Sequence, residues 1–243
     1  YISSEEPNEP KDMLFYIRRA FNNTSSLNAR VIFRKGDQAF SPQEIATAHL
    51  IIATDVSPAE NLPALARYIE AGGIVLLAMK SAATEALTEL TGVPNLAIEE
   101  ADIGRYAMLG GIEFAHPLLS VFSDPRFGDF TKVHFWKHRR VDLADLPDAR
   151  VLARYDNGDP AWFEVPVGRG TLIVLTSGWH PADSDLALSS KFVPLLYSIL
   201  EYGGALTETQ AQYFVGDPVP IARPAATQTA DLQVRKPDGS TIT

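Results

Sequence analysis

Three short, continuously apolar runs constrain the fold of this chain more than any other feature of its sequence. They lie at residues 49–55, 74–79 and 171–176. Runs that are apolar throughout, rather than at alternate positions, are typical of parallel strands covered on both faces. The expected buried parallel strands of one sheet are Ile51-Ile52, Val75-Leu76-Leu77 and Leu172-Ile173-Val174.

Segments with helical periodicity separate and flank these runs. Apolar residues recur at helical spacing over 62–69 and over 82–90. Two further helices are predicted, one over 12–22, capped by its first residue, and one over 188–202. A further strand is predicted at 29–34. Alternating strands and helices with short connections predict an α/β fold, doubly wound around a mostly parallel sheet.

The middle of the chain, 98–167, has a different pattern. Short strand-like runs occur at 132–141, 150–155 and 161–165. The dipeptide Asn157-Gly158 separates the last two runs and is a strong hairpin signal. We therefore expect this insertion to add an antiparallel extension to the sheet.

Composition excludes several classes of function. The 243 residues include 30 acidic and 21 basic side chains, which gives a formal charge of −9 and argues against a nucleic-acid partner. No apolar stretch reaches the roughly 18 residues that span a bilayer, so none of these segments is expected to cross a membrane. The chain has no cysteine, which excludes disulfides, thiolate metal sites and a cysteine nucleophile. No cofactor is expected.

A domain boundary is predicted near residue 206. Residues 1–206 form the α/β domain, and residues 207–243 are expected to be the first strands of a truncated β-sandwich module. At the end of the chain, 234–243 has the pattern of a strand, a Pro-Asp-Gly turn and a return strand. A module too short to hold a core needs partners, either in the α/β domain or in the same tail of a second copy, which would form a homodimer. We therefore expect the chain to be a segment of a longer protein.

Several sequence blocks, in their order along the chain, carry a resemblance to a known family. The most specific are Asp183–Leu188 and Phe192–Leu196. The others are residues 14–20, 68–73, 116–118, 168–170, 215–218 and 236–239. Together they resemble the class I glutamine amidotransferase-like domain of large bacterial membrane proteins that combine a double-transmembrane segment with a von Willebrand factor A domain, the BatA-like group.

This resemblance implies a flavodoxin-like fold without the amidotransferase activity. True glutamine amidotransferases place a cysteine in a glycine-flanked turn after a central strand, and the matching segment here, 77–82, has neither. Their His-Pro-Glu is replaced by His180-Pro181, with Asp183 as the displaced acid. The resemblance therefore implies a non-catalytic scaffold or interaction domain of a membrane-anchored protein, on the extracytoplasmic side. Its expected partners are other proteins or other domains of the parent chain.

The alternative function is a small-ligand-binding protein or a hydrolase-type enzyme that uses the carboxyl edge of the sheet. Its candidate ligand-binding residues are Asp55, Lys80, Ser81, His180 and Asp183. Ser81 could act as a nucleophile with His180 as base, but that chemistry needs a strained turn and an oxyanion hole. Ser81 fits better as a helix N-cap, and Asp185 or Ser184 is expected to cap the helix that follows.

The predicted strand over 132–140 carries two histidines and a concentration of positive charge. Residues i and i+4 of a strand lie roughly 13 Å apart, so His134 and His138 are not expected to share a metal ion. We interpret the strand as a partly exposed basic surface that could meet an acidic partner. The alternative function is supported if the candidate residues converge on a concave pocket and have perturbed pKa values. It is weakened if the insertion covers the sheet edge.

Overall fold

The computed structural model describes residues 1–21, 29–36, 38–54, 61–94 and 96–204, together with the backbone of 234–235 and 241–242. The chain divides into two compact units, residues 1–206 and 207–243. In the first unit, helices α1 to α5 span Met13–Ala20, Pro42–Thr47, Leu62–Glu70, Glu85–Thr91 and Phe192–Tyr202. Strands β1 to β8 span Ile51–Ala53, Ile74–Ala78, Ile98–Glu100, Leu109–Ile112, Arg139–Val141, Arg150–Tyr155, Pro160–Val167 and Gly170–Leu175.

The main sheet confirms the predicted fold class. Its strand order is β1-β2-β8-β7-β6-β4. The first three strands are parallel, with Ile52 opposite Leu76 and Leu76 opposite Ile173, and they contain the three apolar runs. Strands β7, β6 and β4 continue the sheet in antiparallel pairing, which is the predicted extension. Strands β3 and β5 form a separate antiparallel pair.

Helices cover both faces of the parallel strands, as the continuous apolar runs require. Helices α3 and α4 belong to the cluster that contains Val75, Leu77 and Val174. Helices α1 and α5 belong to the other cluster, with Leu76 and Ile173. Because side chains alternate between the faces of a strand, both sets of positions on β2 and β8 must be apolar. The fold is therefore doubly wound.

The Asn157-Gly158 hairpin is confirmed, with a longer loop. Residues 156–159 connect β6 to β7, and Gly158 has a φ of +91°. The amide of Gly158 donates to Tyr155 O at 2.9 Å, and the amide of Tyr155 donates to Asp159 O at 2.9 Å. A residue with a side chain is strained at such a positive φ, which explains the glycine.

The predicted helix over 188–202 begins four residues late. A 3₁₀ turn at Leu186–Leu188 precedes it, and α5 starts at Phe192. The Ser189 hydroxyl donates to Leu186 O at 2.7 Å and accepts from the amide of Lys191 at 3.2 Å. These local bonds compete with helical ones, so the turn and α5 do not merge.

Two predicted strands are mostly irregular. Over 29–34, Arg34 alone pairs, in an isolated parallel bridge with Ile2. Over 132–141, regular pairing is confined to β5, and Phe135 makes isolated bridges. The amides of Trp136 and Lys137 both donate to one carbonyl, that of Asp183, which breaks the alternation that a regular strand needs.

In the second unit, strands β9 (Val234–Arg235) and β10 (Thr241–Ile242) pair antiparallel, with Val234 opposite Ile242. This pairing confirms the predicted return strand. The other strand-like pieces of the tail lie outside the described residues, so the β-sandwich module and the homodimer through the tail stay predictions.

Gly170 offers a direct test of how closely β8 and α3 approach each other. A Cβ at Gly170 would lie 2.2 Å from the carbonyl oxygens of both Ile69 and Gly73, whereas a Cβ at Gly111 in β4 would meet no atom within 4 Å. Gly170→Ala should lower the free energy of unfolding by about 1–3 kcal/mol or more, because backbone must move. Gly111→Ala should change it by about 1 kcal/mol or less. Urea unfolding measures both, and equal effects would contradict the packing described.

Candidate functional site

The carboxyl ends of two neighbouring parallel strands bring three of the candidate residues together. Lys80 follows β2, and His180 and Asp183 follow β8. Because parallel strands end at the same edge of a sheet, these side chains meet there. Glu5 and Arg139, which the sequence analysis did not single out, complete the cluster.

Glu5 links the start of α1 to Lys80. Its side chain is 2% exposed, and its Oε1 lies 3.1 Å from Lys80 Nζ. The amides of Met13 and Leu14 donate to Oε1 at 3.2 Å and to Oε2 at 2.9 Å, and the Tyr1 hydroxyl donates to Oε2 at 2.8 Å. A carboxylate at the positive end of a helix dipole is stabilised.

The predicted cap of this helix is therefore wrong. Asp12 occupies the N-cap position, but its side chain makes no capping hydrogen bond and instead accepts from the amide of Glu6 at 3.1 Å. Glu5 satisfies the first-turn amides instead, from outside the helix. A cap from a distant segment leaves no local sequence signal.

Arg139 and Asp183 form a buried ion pair, with side chains that are each 3% exposed. Arg139 Nη1 donates to Asp183 Oδ2 at 2.5 Å and to Met79 O at 2.7 Å, and its Nε donates to Glu100 Oε1 at 3.0 Å. The amide of Gly178 also donates to Asp183 Oδ2, at 3.2 Å. These hydrogen bonds compensate the desolvation of both charges.

His180 stands between the two ion pairs. Its Nε2 lies 3.6 Å from Asp183 Oδ1, and its buried Nδ1 has no hydrogen-bond partner among the described residues. Burial lowers the pKa of His180, Asp183 opposes this effect and the charge of Lys80 adds to it. A lowered pKa favours the neutral imidazole at pH 7.

The insertion covers this edge of the sheet. The amides of Trp136 and Lys137 donate to Asp183 O, the Ser177 hydroxyl donates to Lys137 O, and the amide of Arg139 donates to Thr176 O. Every one of these bonds joins the insertion to the segment that follows β8. The predicted basic surface is therefore wrong in part, because Arg139 belongs to the interior.

His138 is also interior rather than part of an exposed surface. Its side chain is fully buried, with Nε2 2.9 Å from Asp159 Oδ2 and the ring 4.0 Å from the Tyr155 ring centroid. Its Nδ1, like that of His180, has no hydrogen-bond partner in the described part of the chain. Burial lowers the pKa of His138, and the contact with Asp159 opposes the shift.

The remaining candidate residues do not join the cluster. Ser81 is exposed, and its hydroxyl accepts from the amide of Ala83 at 3.4 Å. The helix begins later, with Thr84 at its N-cap position, so the prediction that Ser81 is the cap is wrong. Asp55 lies outside the described residues.

In the loop that follows Asp183, the side chains predicted to cap the next helix make other hydrogen bonds. The Asp185 side chain makes no capping hydrogen bond and instead accepts from the amide of His134 at 2.8 Å, with His134 Nδ1 3.2 Å away. Ser184 Oγ donates to Gly178 O at 2.7 Å and accepts from the amide of Leu186 at 3.4 Å. His134 and His138 thus face different carboxylates. Within residues 1–21, 29–36, 38–54, 61–94 and 96–204, no group of three or more histidine or acidic side chains could hold a metal ion.

A second buried polar network joins α5 to the antiparallel half of the sheet. His116 Nε2 lies 3.0 Å from Glu164 Oε1, and the Tyr202 hydroxyl donates to Glu164 Oε2 at 3.0 Å. His116 Nδ1 accepts from the amide of Leu118 at 3.3 Å and so caps the 3₁₀ helix Pro117–Phe122. Burial and Glu164 raise the pKa of Tyr202. The His116-Pro117 motif therefore has a structural role.

A cavity of about 600 Å³ lies elsewhere, beside β1. Tyr1, Ile17, Ile45 and Leu50 are among its lining residues, which include neither Lys80 nor His180 nor Asp183. None of the helices in the described ranges is long and apolar enough to cross a membrane.

Comparison with known proteins identifies the fold. No protein-family model matches the chain, and no curated protein matches it. A cytoplasmic protein from Salmonella typhimurium is similar at 15% identity and a TM-score of 0.59, over 78% of this chain and 85% of that one. A ThuA-like protein from Parabacteroides merdae is similar at 16% identity and a TM-score of 0.53, over 83% and 88%. A β-galactosidase from G. stearothermophilus is similar at 14% identity and a TM-score of 0.50, over 80% of this chain but 26% of the enzyme.

The adjacent residues Arg139 and Arg140 allow a controlled test of the buried ion pair. Both pair with a glutamate of β3, but the Arg140 side chain is 60% exposed. Arg139→Met should lower the free energy of unfolding by about 3–5 kcal/mol, because Asp183 stays buried without its partner. Arg140→Met should lower it by about 1 kcal/mol or less. Urea unfolding followed by circular dichroism compares the two variants. Losses of similar size would contradict the claim that Arg139 and Asp183 form a buried ion pair on which stability depends.

Stability should fall as the medium is acidified below the ordinary histidine pKa. His138 and His180 have lowered pKa values in the folded state, so the unfolded chain binds more protons below about pH 6.5. Between about pH 7.5 and about pH 5.5, the free energy of unfolding should therefore fall as the pH falls, by up to about 1.4 kcal/mol per pH unit for each histidine. His138→Gln should reduce that slope. His49→Gln, a change at an exposed histidine, should not, and an unaltered slope in His138→Gln would contradict the assignment.

Proposed function

We propose that this chain is a non-catalytic scaffold or interaction domain with a glutamine amidotransferase-like fold. The observation that carries the proposal is the covered carboxyl edge of the sheet. Open α/β sheets bind ligands at that edge, but here the insertion is hydrogen-bonded across it through the carbonyls of Lys137, Thr176 and Asp183. Arg139 and Lys80 are paired with Asp183 and Glu5, so the charges of the edge are engaged within the protein.

The arrangement of nucleophile and base also supports a non-catalytic role. Acyl transfer needs a nucleophile within hydrogen-bond reach of its base. The chain has no cysteine, and Ser81 is exposed with its hydroxyl on the amide of Ala83. His180 Nε2 faces Asp183 across 3.6 Å, and no hydroxyl of the described residues is hydrogen-bonded to its other ring nitrogen, Nδ1. An acid and a base without a nucleophile do not hydrolyse glutamine.

We further propose that the domain belongs to a larger, membrane-anchored protein of the BatA-like kind, on its extracytoplasmic side. The sequence blocks around Asp183–Leu188 and Phe192–Leu196 support this assignment. The similar fold that forms 26% of a β-galactosidase supports its use as one part of a longer chain. Membrane attachment would come from segments of the parent protein.

One observation favours the alternative, a small-ligand-binding or hydrolase-type protein. The buried Nδ1 of His180 lacks a hydrogen-bond partner among the described residues, and the neighbouring Lys80 side chain is 24% exposed. A small anion reaching Lys80 could also accept a hydrogen bond from the Nδ1–H of the imidazole. The two proposals predict different effects of a ligand on the melting temperature of the chain.

Assays of the purified chain separate these proposals. It should release no ammonia from glutamine, and Ser81→Ala and His180→Ala should change stability at most, because neither residue acts on a substrate. Turnover that either substitution abolishes would refute the non-catalytic role. Phosphate, dicarboxylates and free amino acids should leave the melting temperature unchanged. A ligand that raises the melting temperature of the unsubstituted chain but not that of Lys80→Ala would instead support the alternative, since binding to the native state stabilises that state.

A further inference from the structure

Three segments form a small antiparallel patch on the outer side of the insertion. Ala107 and Phe135 exchange backbone hydrogen bonds at 2.8 and 2.9 Å, and Phe135 forms a second antiparallel bridge with Ser184. The side chains of these three bridge residues are buried. Of the residues beside them, Tyr106 and Trp136 are exposed and His134 is half-buried. We call these three residues the aromatic face.

Two members of the aromatic face, Tyr106 and His134, contact each other. The Tyr106 and His134 rings lie 4.4 Å apart between centroids, in an edge-on arrangement. The bridge between Ala107 and Phe135 brings the segments that carry Tyr106 and Trp136 side by side. Asp185 fixes His134 by accepting from its amide at 2.8 Å, with the imidazole Nδ1 3.2 Å away. The face is thus held in place by backbone pairing and by a carboxylate.

Exposure sets Trp136 apart from the other two tryptophans of the domain. Trp136 is 42% exposed and Tyr106 is 37% exposed, whereas Trp162 and Trp179 are 2% and 1% exposed. Neighbouring exposed tryptophan and tyrosine side chains are a feature of protein–protein interfaces, where they supply most of the binding energy. Burial within the domain does not account for this face.

Two cations flank the aromatic face, in a chain with a net charge of −9. The guanidinium of Arg105 lies 5.7 Å from the Tyr106 ring centroid, and the exposed Lys137 directly follows Trp136. Neither cation forms a salt bridge with another described residue. An acidic side chain, Asp185, also touches the face and accepts a hydrogen bond from the amide of His134. The face therefore complements a partner that brings both apolar area and negative charge.

We propose that the aromatic face is the docking surface of this domain, and that its partner is a protein segment with acidic side chains beside a bulky apolar residue. The apolar side chain packs on the rings of Trp136 and Tyr106, and carboxylates pair with Arg105 and Lys137. This proposal rests on the proposed function, since it assigns the surface of an interaction domain and the chemistry of its partner.

Trp136 makes the binding directly measurable, because the other two tryptophans are buried. The probes are three short synthetic peptides of equal length: one of glutamate with leucine and phenylalanine, one with lysine in place of each glutamate, and one with serine in place of each apolar residue. The acidic apolar peptide should protect tryptophan fluorescence from acrylamide quenching, and added salt should weaken its binding. The other two peptides should protect it at least about tenfold less well at equal concentration.

Variants then locate the surface, with binding followed by the anisotropy of a labelled acidic apolar peptide. Tyr106→Ala and Trp136→Ala should each weaken binding by about tenfold or more, with unchanged circular dichroism. Phe127→Ala is the matched control, since Phe127 is 53% exposed in another loop, and it should leave binding unchanged. Arg105→Glu with Lys137→Glu should reverse the preference from the acidic to the lysine peptide.

The assignment is overturned if the acidic apolar peptide does not bind, if the lysine peptide binds equally well, or if Tyr106→Ala behaves like Phe127→Ala. A peptide that binds tightly but ignores Tyr106 and Trp136 refutes this surface while the interaction-domain proposal stands. Glutamine turnover abolished by His180→Ala refutes the proposed function independently of any peptide result.

Discussion

The buried ion pair between Arg139 and Asp183 determines how the insertion meets the sheet. Removing two charges from water is costly, and close contact repays that cost only when their remaining hydrogen-bonding groups are also satisfied. Here the amide of Gly178 and the carbonyl of Met79 complete the pair. Gly178 follows β8 and Met79 follows β2, so the pair is stable only when both strand ends and the insertion are in place. The covered edge therefore forms as one cooperative unit with the parallel sheet.

The Glu5–Lys80 pair repeats this principle at the neighbouring position. Glu5 is fixed by the amides of Met13 and Leu14, and Lys80 is fixed by Glu5. A group that binds or transforms a substrate needs unused hydrogen-bonding capacity. These charges are instead paired by contacts with distant residues of the domain. His180, between the pairs, has a lowered pKa because it is buried, and a neutral imidazole keeps the charges there balanced. Paired charges of this kind support a structural role for the side chains at the sheet edge.

The sequence predicts the sheet better than the site because the two depend on different ranges of contact. Burial on both faces imposes apolar residues at every position of β2 and over residues 172–175 of β8, so a local run of sequence suffices to find them. Arg139 lies in a run of basic residues that has the pattern of a solvated surface, and its partners come from distant segments. Ser81 has the side chain of a helix cap, yet α4 begins at Glu85. Where a distant group satisfies a charge or a helix end, local spacing carries no information about it.

The insertion connects the interior of the domain with its aromatic face. Arg139 lies buried at the sheet edge, where it binds Asp183, and Trp136, in the same segment, is exposed. The amide of Trp136 is bonded to the carbonyl of Asp183, whose carboxylate holds Arg139. The tryptophan is consequently presented by backbone that the ion pair immobilises, so a partner need not order it on binding. Ordering an interface on binding costs affinity. The buried ion pair at the sheet edge avoids that cost, because it holds the exposed face in place before a partner binds.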